Sequence, residues 1–523
     1  MSTPQLWWQG GVLYQIYPRS FADSNGDGVG DLTGITERLE YLETLGIAGI
    51  WLNPVTVSPN RDWGYDVADY CDVDPELGTL SDLDRLVAEA GARGIRVLLD
   101  LVPNHSSDQH AWFVEARSSP TSPHRDWYVW ADSRADGSPP NNWRSAFGGP
   151  AWTLDERTGQ YYLHNFLPEQ PDLNWWNEEV RNAFDEILRF WFERGIAGFR
   201  IDVAHGIVKD SELRDNPPAV EADDEHTRRV GQRPVYNMNR PEVHDVLRRW
   251  RQLAEHFEPP RVLVGETWVS ELDRWAAFYG NGSDELHLAF NFPFAFSPLE
   301  AEPLRRAVED TESVIPEAAW PVWTLSNHDI RRFPTRLCDE EEPQVRCALL
   351  ALLSLRGTPV LYYGDELGMP DVPIPDDRTR DPVGRDPCRT PMQWTAEPGA
   401  GFTEPGVEPW LPLGDASRCN VEEQRGRDDS ILAFTQHLIA LRRELPDLRV
   451  GSYASLPAPD DVWAWRRGGC VAVAVNLGGE QRSIALGPGV IAAATHTARQ
   501  GEAVESTLVL GPWEGALVLM GYR

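Results

Sequence analysis

Strand-like and helix-like patterns alternate along most of the chain, and eight strand candidates each have a helical partner. This alternation predicts an α/β protein, a (β/α)8 TIM barrel with an inserted domain after its third strand and a C-terminal antiparallel β-sandwich domain. An open doubly wound sheet is the alternative, but the chain lacks a GxGxxG turn. The predicted boundaries are 1–105 and 176–449 for the barrel, 106–175 for the insertion and 450–523 for the last domain.

The N-terminal third of the chain shows the alternation most clearly. Its strand candidates are VLYQIYPRSF (12–21), IAGIWLNPV (47–55) and RVLLDLVPNH (96–105). The helix before the third strand begins with a capping-box pattern, Ser81 with Asp84, and ends at Gly94. These signals predict two βα units followed by a third strand.

The stretch 106–175 breaks this rhythm, because it is rich in Pro, Ser, Asp and Trp and has only short strand signals. It is therefore predicted to be an insertion. The alternation resumes through the strand candidates AGFRIDVA, VLVGETW, ELHLAFNF, WTLSNHD and TPVLYYGDE. From about 450 onward, short alternating stretches such as CVAVAVNL and GALVLMGY, separated by Gly and Pro, predict an antiparallel β domain.

Composition excludes several classes of partner. The formal net charge of -33 opposes binding to nucleic acid and to anionic membrane surfaces. Lys209 is the only lysine among 48 lysines and arginines, a bias that we interpret as genomic base composition, with a salt-adapted surface as the alternative. The six cysteines have no CxxC spacing, which predicts reduced thiols and neither a zinc site nor disulfides.

No stretch reaches the roughly 18 apolar residues of a membrane span, and the N-terminal segment lacks a basic leader with an unbroken apolar region. These features predict a cytoplasmic enzyme without membrane partners. We expect a monomer or a homodimer.

Polar residues interrupt four apolar strand candidates at their C-terminal ends. They are Asp100, Asn104 and His105 in the third strand, Arg200 and Asp202 in the fourth, Glu266 in the fifth, and His328 and Asp329 in the seventh. A single such residue is equally well explained as a structural carboxylate or a helix N-cap. Repetition in four strands predicts an active site, because the C-terminal ends of barrel strands carry it.

Two carboxylates that flank an acetal carbon are suited to cleaving a glycosidic bond. Arg200 precedes Asp202 by two residues on the same strand face, and is expected to hold that aspartate ionised. Glu266 is the candidate acid, because no cation adjoins it in sequence and the preceding VLVG is apolar. His105 and His328 are candidates to donate hydrogen bonds to sugar hydroxyls.

The segments DLVPNH, GFRIDVAH, GETW and SNHD, with QPDLNW (170–175) and TPVLYYGDE, resemble those of the α-amylase family of glycoside hydrolases (family 13). Within it they are most similar to the oligo-1,6-glucosidase and α-glucosidase branch, over nearly the whole chain. The resemblance implies Asp202 as nucleophile, Glu266 as general acid/base and Asp329 as a third carboxylate that binds the 2- and 3-hydroxyls. It also implies retention through a covalent glucosyl-enzyme, with transglucosylation as a side reaction.

The resemblance extends to a substrate pocket. His105, Arg200 and His328 would line the same subsite as the three acids. GYD (64–66) and GRDPCRTPMQW (384–394) are similar to branch segments that supply Asp66 and Arg389, which would close the pocket around the non-reducing-end glucose. Such closure implies exo-action on short substrates. Three further pocket candidates come from the predicted insertion, with core packing as the alternative for the aromatic residues: Phe147, Phe166 and Gln170.

The stretch DSNGDGVGD (23–31) sets oxygen ligands at alternate positions, as in an EF-hand loop. The candidate ligands are Asp23, Asn25, Asp27, the carbonyl of Val29, and Asp31. Gly34 stands at the twelfth position, where an EF-hand has Glu. The resemblance implies a structural Ca²⁺ or Mg²⁺ here, with a hydrogen-bonded acidic turn as the alternative, and no cofactor for catalysis.

The preferred linkage stays open at this point. Val203, directly after the expected nucleophile, is the residue type that the branch associates with α-1,6 preference, but the following AHG departs from the usual Ile-Asn. We expect an α-glucosidase acting on maltose-like oligosaccharides or other small α-glucosides. An oligo-1,6-glucosidase and a sucrose- or trehalose-active transferase or isomerase are alternatives, and IRRFPTR after SNHD disfavours an isomerase. A non-enzymatic member is disfavoured because all three acids are present.

Overall fold

Eight parallel strands form one sheet in the computed structural model, which describes residues 6–281 and 284–521. The first to eighth barrel strands, in chain order, are Leu13–Ile16, Gly49–Leu52, Arg96–Leu101, Gly198–Ile201, Val262–Gly265, Leu288–Ala289, Val322–Thr324 and Thr358–Tyr362. Their order in the sheet is six, five, four, three, two, one, eight, seven. Neighbours in the sheet are thus neighbours in cyclic chain order, as in a (β/α)8 barrel, and the predicted fold class is confirmed.

The chain divides into two compact units. The first comprises Met1–Leu52, Arg85–Val97 and Phe290–Arg523, and the second comprises Asn53–Asp84 and Leu98–Ala289. Within the first unit, Leu13 of the first strand pairs in parallel with Gly49 of the second and Val360 of the eighth.

The helices are short to medium in length. In the first unit they are Trp7–Gly10, Leu32–Glu37, Leu39–Leu45, Phe292–Phe296, Ala301–Val314, Phe333–Leu337, Glu342–Ser354, Val421–Arg425, Ile431–Glu444 and Pro446–Val450. In the second unit they are Ala111–Ala116, Glu178–Glu193, Glu225–Val230, Val243–Glu255 and Leu272–Ala276. None of the helices in the described part of the chain has both the length and the apolar character needed to cross a membrane.

The C-terminal part of the first unit is antiparallel, as predicted. A six-stranded sheet contains, in sheet order, Tyr453–Ser455, Val462–Arg467, Val471–Asn476, Glu514–Met520, Gly489–Ala494 and Ala503–Val504. A second sheet pairs Arg482–Ala485 with Thr507–Leu510. Ile484 and Leu508 of the second sheet share one buried core with Val462 and Val518 of the first, so the two sheets form a sandwich.

In the second unit, the third to sixth barrel strands pair in parallel. Leu98 and Val262 both lie opposite Gly198 of the fourth strand. A Cβ atom at position 198 would come within 2.1 Å of the carbonyl oxygen of Val262, so only glycine permits this close approach. The strands Thr56–Val57 and Asp69–Val73 form a separate antiparallel pair.

The predicted insertion contains a small antiparallel sheet of its own. Its strands are, in sheet order, Trp130–Ala131, Gln160–Leu163 and Trp152–Asp155. Trp143, Trp152 and Leu163 are buried together beside this sheet. The aromatic residues that break the barrel rhythm therefore build a local core.

The helix Leu80–Ala92 begins earlier than expected. The predicted capping box, Ser81 with Asp84, is wrong, because the reciprocal hydrogen bonds join Thr79 and Asp82. The Thr79 N–H donates to Asp82 Oδ2 at 3.0 Å, and the Asp82 N–H donates to Thr79 Oγ1 at 3.3 Å. The sequence TLSDLD (79–84) contains two overlapping candidates for this pattern, and the first of them caps the helix.

Barrel strands are also shorter than the apolar runs that predict them. The first strand ends at Ile16, because Pro18 begins a 3-10 turn over Pro18–Ser20. The third ends at Leu101, so His105 lies in the following loop and not in the strand. Polar residues after the strands are thus held by loops on the sheet edge.

Candidate active site

The fourth barrel strand ends in a guanidinium that contacts three carboxylates. Arg200 Nη1 lies 2.7 Å from Asp100 Oδ1 and 2.7 Å from Asp202 Oδ1, and its Nη2 lies 2.9 Å from Glu266 Oε2. Register explains the grouping, because Asp100 pairs directly with Arg200, and Asp202 and Glu266 each follow the last residue of a strand. We call these four residues the Arg200 cluster.

All members of the Arg200 cluster are buried. Burial alone would lower the pKa of Arg200, but Asp100 and Glu266 are the main neighbours that raise this pKa well above its ordinary value. The guanidinium is therefore permanently charged. The expected contact between Arg200 and Asp202 is present. No cation adjoins Glu266 in sequence, but strand pairing brings Arg200 to it.

Glu266 accepts two further hydrogen bonds. The Val203 N–H donates to Oε2 at 2.8 Å, and Trp268 Nε1 donates to Oε1 at 2.7 Å. Val203 has a φ of 43°, a left-handed conformation that costs a β-branched residue roughly 1–3 kcal/mol. This strain aims the N–H of Val203 at the carboxylate. Sequence reasoning missed Trp268, although it stands two residues after Glu266 in GETW.

His105 lies in a buried network with residues of the predicted insertion. Its Nε2 is 3.0 Å from Gln170 Nε2, and Gln170 also donates to Asp62 Oδ2 at 3.0 Å. The His105 ring centroid lies 5.2 Å from that of Phe166, which contacts Phe147 edge-on at 5.4 Å. Burial lowers the pKa of His105 to about 4, so the ring is neutral at pH 7. The predicted residues His105, Phe147, Phe166 and Gln170 are thus brought together.

Asp66 is fully buried and held by its own segment. It accepts hydrogen bonds from Ser58 Oγ at 2.8 Å, from the Arg61 N–H at 2.9 Å and from the Asp62 N–H at 3.0 Å. Burial raises the pKa of Asp66, and these donors oppose the rise. The carboxylate is fixed before any ligand binds.

Lys209 is a second site residue whose role the sequence did not reveal. Its ammonium lies 2.9 Å from Asp172 Oδ2 and donates to the Gly206 carbonyl at 2.7 Å and to Asn104 Oδ1. Asp172 belongs to the QPDLNW segment, so Lys209 ties the loop after Asp202 to the predicted insertion. The available signal was that Lys209 is the only lysine in a chain whose other Lys and Arg positions are all arginine. An ammonium and a guanidinium are not interchangeable at such a site.

In the first unit, Asp329 contacts a histidine and two guanidinium groups. Its Oδ2 lies 3.0 Å from His328 Nε2, and its Oδ1 lies 2.9 Å from Arg385 Nη1 and 3.0 Å from Arg389 Nη2. We call these four residues the Asp329 cluster. Burial would raise the pKa of Asp329, but His328, Arg385 and Arg389 together hold it well below its ordinary value. Asp329 is therefore a permanent carboxylate.

Arg385 and its partner Asp381 were not predicted from the sequence. Asp381 Oδ1 accepts from Arg385 Nη2 at 2.6 Å and lies 3.5 Å from Arg389 Nη1. The only signal was the repeated RDP in RDPVGRDP (380–387), which places an acid and an arginine four residues apart. Asp381 orients both arginines of the Asp329 cluster.

The loop 23–31 is held by its own hydrogen bonds. Its side-chain oxygens accept backbone N–H groups at 2.7 to 2.9 Å: Gly26 to Asp23, Asp27 to Asn25, Val29 to Asp27 and Ser24 to Asp31. Among the described residues, no three His, Cys, Asp or Glu side chains are grouped to hold a metal ion. The cation stays a prediction, and no chemical step depends on it.

A (β/α)8 barrel with carboxylates at the ends of neighbouring strands is the framework of a glycoside hydrolase. The family model described as the α-amylase catalytic domain matches residues 15–451. The chain belongs to the α-amylase family and is a glycoside hydrolase.

The relatives are described as glucosidases, whereas the solved structures of the same fold are described as a glucosyl transfer enzyme and a trehalulose synthase. A probable α-glucosidase of Rhizobium meliloti (strain 1021) is 43% identical over 467 residues, covering 85% of this chain and 84% of the relative. An oligo-1,6-glucosidase of Heyndrickxia coagulans is 37% identical over 496 residues, covering 86% and 87%. The structure of an α-glucosyl transfer enzyme superposes with a TM-score of 0.92 at 39% identity, covering 99% of this chain and 100% of that chain. The trehalulose synthase of Pseudomonas mesoacidophila MX-45 gives 0.90 at 34%, with coverage of 99% and 100%.

Proposed function

We propose that the protein is a retaining, exo-acting α-glucosidase that releases glucose from the non-reducing end of short, maltose-like α-glucosides. The observation that carries this proposal is the single guanidinium of Arg200 bonded to both Asp202 and Glu266. Retaining glycosidases hold their two carboxyl groups about 5 to 5.5 Å apart. A guanidinium shared by the two carboxylates keeps them close to each other, which supports the short spacing that such a mechanism needs.

Asp202 is the proposed nucleophile. Its carboxylate oxygen bonds to the anomeric carbon, while Glu266 gives a proton to the glycosidic oxygen, which leaves with the electron pair of the broken bond. Glu266, now a carboxylate, then takes a proton from water, which opens the glucosyl ester on Asp202. Two displacements at one carbon return the α-configuration.

Asp329 has a different proposed role. Because two guanidinium groups and a histidine contact it, Asp329 is unsuited to donate a proton and well suited to accept hydrogen bonds from the 2- and 3-hydroxyls of glucose. Asp66 and Arg389 are the proposed ligands of the non-reducing-end glucose. The fixed, buried carboxylate of Asp66 supports this assignment.

Capture of the glucosyl-enzyme by a sugar hydroxyl in place of water gives transglucosylation, which we propose as a second outcome of the same intermediate. The α-glucosyl transfer enzyme among the structural neighbours supports it. An oligo-1,6-glucosidase is the second candidate, favoured by Val203 and by the relative of that description.

One experiment tests the stereochemistry and the linkage together. The protein is incubated with maltose, isomaltose, trehalose and sucrose, and the first products are followed by proton NMR. We expect α-glucose before mutarotation, with maltose turned over fastest and glucosyl oligosaccharides at high maltose concentration. Initial β-glucose would refute retention, and faster release from isomaltose would favour the oligo-1,6-glucosidase. If sucrose isomers were the main product, the proposed activity would be isomerisation and not hydrolysis.

A further inference from the structure

We propose that Trp268 is a positioning residue that keeps the proton-donating oxygen of Glu266 in its carboxylate form until substrate displaces the indole. The inference rests on the proposed acid/base role of Glu266. It identifies which carboxylate oxygen carries the proton and what controls its arrival.

The two oxygens of Glu266 differ in their surroundings. Oε2 accepts from Arg200 Nη2 at 2.9 Å and from the Val203 N–H at 2.8 Å. Both donors are buried, one on a barrel strand and the other on the residue that follows the nucleophile. Both donors direct their hydrogens at Oε2, which disfavours a proton there, so we assign the transferable proton to Oε1.

Oε1 accepts a hydrogen bond from Trp268 Nε1 at 2.7 Å. An indole N–H is a donor and never an acceptor, so this bond is stronger to the ionised carboxylate than to the acid. A hydrogen on Oε1 would also lie against the indole hydrogen that Trp268 directs at the same oxygen. Trp268 therefore has to tilt away before Glu266 is protonated and can face the glycosidic oxygen.

Exposure makes such a movement possible. Trp268 is 40% exposed, whereas Trp175 and Trp250 of the same unit are almost completely buried in packed surroundings. The backbone of Trp268 has a hydrogen bond of its own, because its main-chain N–H donates to His205 Nδ1 at 3.4 Å. The side chain is thus the movable part and the backbone the fixed part.

The proton balance of the step is closed. With the indole displaced, Oε1 takes a proton from water, and that proton passes to the glycosidic oxygen as its bond to the anomeric carbon breaks and Asp202 forms the ester. In the second displacement Glu266 recovers a proton from the attacking water, and it returns that proton to the solvent when the indole hydrogen bond forms again. An indole that returned early would stabilise the carboxylate and oppose this second transfer.

The test is the pH profile of kcat/KM for maltose in Trp268→Phe, which keeps an aromatic ring but has no N–H. Loss of a donor to the carboxylate favours the protonated acid, so the alkaline limb should move upward by about one pH unit. The acid limb should stay in place. Trp127→Phe is the matched control, because Trp127 Nε1 donates to Glu179 Oε2 at 3.0 Å, an indole–carboxylate pair outside the Arg200 cluster.

α-Glucosyl fluoride provides the second measurement, because fluoride leaves without a proton. Trp268→Phe should turn over this substrate with the wild-type alkaline limb, and Trp268→Leu should behave in the same way as Trp268→Phe with both substrates. The inference is overturned if both variants keep the wild-type alkaline limb with maltose, or if Trp127→Phe shows the same shift. Loss of α-glucosyl fluoride turnover in both variants would also overturn it, by making Trp268 a structural part of the site.

A separate variant distinguishes this failure from failure of the proposed function. Glu266→Gln should lose maltose hydrolysis while the first displacement with α-glucosyl fluoride persists. If Glu266→Gln hydrolyses maltose as fast as the wild type, the acid/base assignment itself fails. If Glu266→Gln is inactive and only the Trp268 shift is missing, the assignment stands and the indole inference alone is refuted.

Discussion

The Arg200 cluster and the Asp329 cluster use the same residue types in inverse proportions. In the second unit one guanidinium contacts three carboxylates, and in the first unit one carboxylate contacts a histidine and two guanidinium groups. In the proposed mechanism, the carboxylates that share one cation include the nucleophile and the acid/base. The carboxylate that contacts a histidine and two guanidinium groups is the proposed fixed acceptor.

Removing the proposed nucleophile should have the largest effect on activity. Asp202→Asn keeps the shape of the Arg200 cluster but cannot form the glucosyl ester, so we expect kcat for p-nitrophenyl α-glucoside to fall by about 10⁴-fold or more. Release of p-nitrophenol measures the loss. Asp155→Asn is the matched control, since Asp155 is a buried carboxylate bonded to Arg117 at 2.8 Å in the same unit. Retained activity in Asp202→Asn, or equal loss in both variants, would contradict the nucleophile assignment.

Removing one carboxylate should destabilise the Asp329 cluster more than the Arg200 cluster. Asp329→Asn removes the charge that His328, Arg385 and Arg389 all contact, and should lower the free energy of unfolding by about 2 kcal/mol, a value reduced for the 22% exposure of this side chain. In Asp202→Asn, Arg200 keeps Asp100 and Glu266, so the change should be near zero. Urea unfolding of both variants measures the difference. Equal destabilisation of the two variants would show that the ratio of carboxylates to basic groups in a cluster does not determine the loss of stability.

Much of the Arg200 cluster is visible in the sequence, because a charge in an apolar strand is costly and therefore informative. Asp202 and Glu266 were predicted from this signal and from the family segments around them. The contact between Arg200 and Glu266 was not, because it depends on the register of two strands that lie 60 residues apart in the chain, roughly the spacing of one βα unit with a long loop. The residues next to Glu266 in sequence therefore did not reveal the cation that contacts it.

The Asp329 cluster was harder to predict. His328 and Asp329 were predicted at the end of the seventh strand, but that strand ends at Thr324 and both residues lie in the loop after it. Arg385 and Asp381 also lie in an irregular loop, where no periodicity indicates which side chains point inward. Lys209 was visible as a compositional exception, yet its meaning depended on Asp172, which tertiary folding brings to it. Periodic elements were therefore predicted well, and loop partners were not.

Acid should weaken the second unit through His105. The pKa of this histidine is about 4 in the folded protein and about 6.5 when unfolded, so between these values only the unfolded chain binds the proton. Stability should therefore fall by roughly 3 kcal/mol as the pH drops from about 6.5 to about 4. Urea unfolding at several pH values measures the slope. His105→Gln should flatten it, and the exposed His256→Gln should leave it unchanged; equal slopes in all three proteins would contradict the prediction.

Lys209 and Asp172 pair one ammonium with one carboxylate, in contrast to the unequal proportions of the two clusters. The geometry of this pair should not accommodate arginine. Lys209→Arg keeps the charge but replaces a compact ammonium with a planar fork that cannot reach both Asp172 and the Gly206 carbonyl. We expect a loss of about 2 kcal/mol in the free energy of unfolding. Arg134→Lys, at the exposed pair with Asp215, should change it by less than about 0.5 kcal/mol. If Lys209→Arg leaves the free energy of unfolding unchanged, the structure does not require a lysine at this position.

The loop 23–31 extends the comparison to carboxylates that are balanced by backbone N–H groups in place of side-chain cations. If it binds Ca²⁺ as the sequence predicts, a concentration five times the Kd should stabilise the protein by about 1 kcal/mol. The unfolding midpoint with Ca²⁺ and with EDTA measures this effect. Asp27→Asn is the sharpest variant, because Asp27 is exposed, whereas the Asp23 carboxylate also accepts a hydrogen bond from Thr403. The same midpoint with and without Ca²⁺ in the wild type, or the same shift in Asp27→Asn, would leave the hydrogen-bonded turn as the whole explanation of this loop.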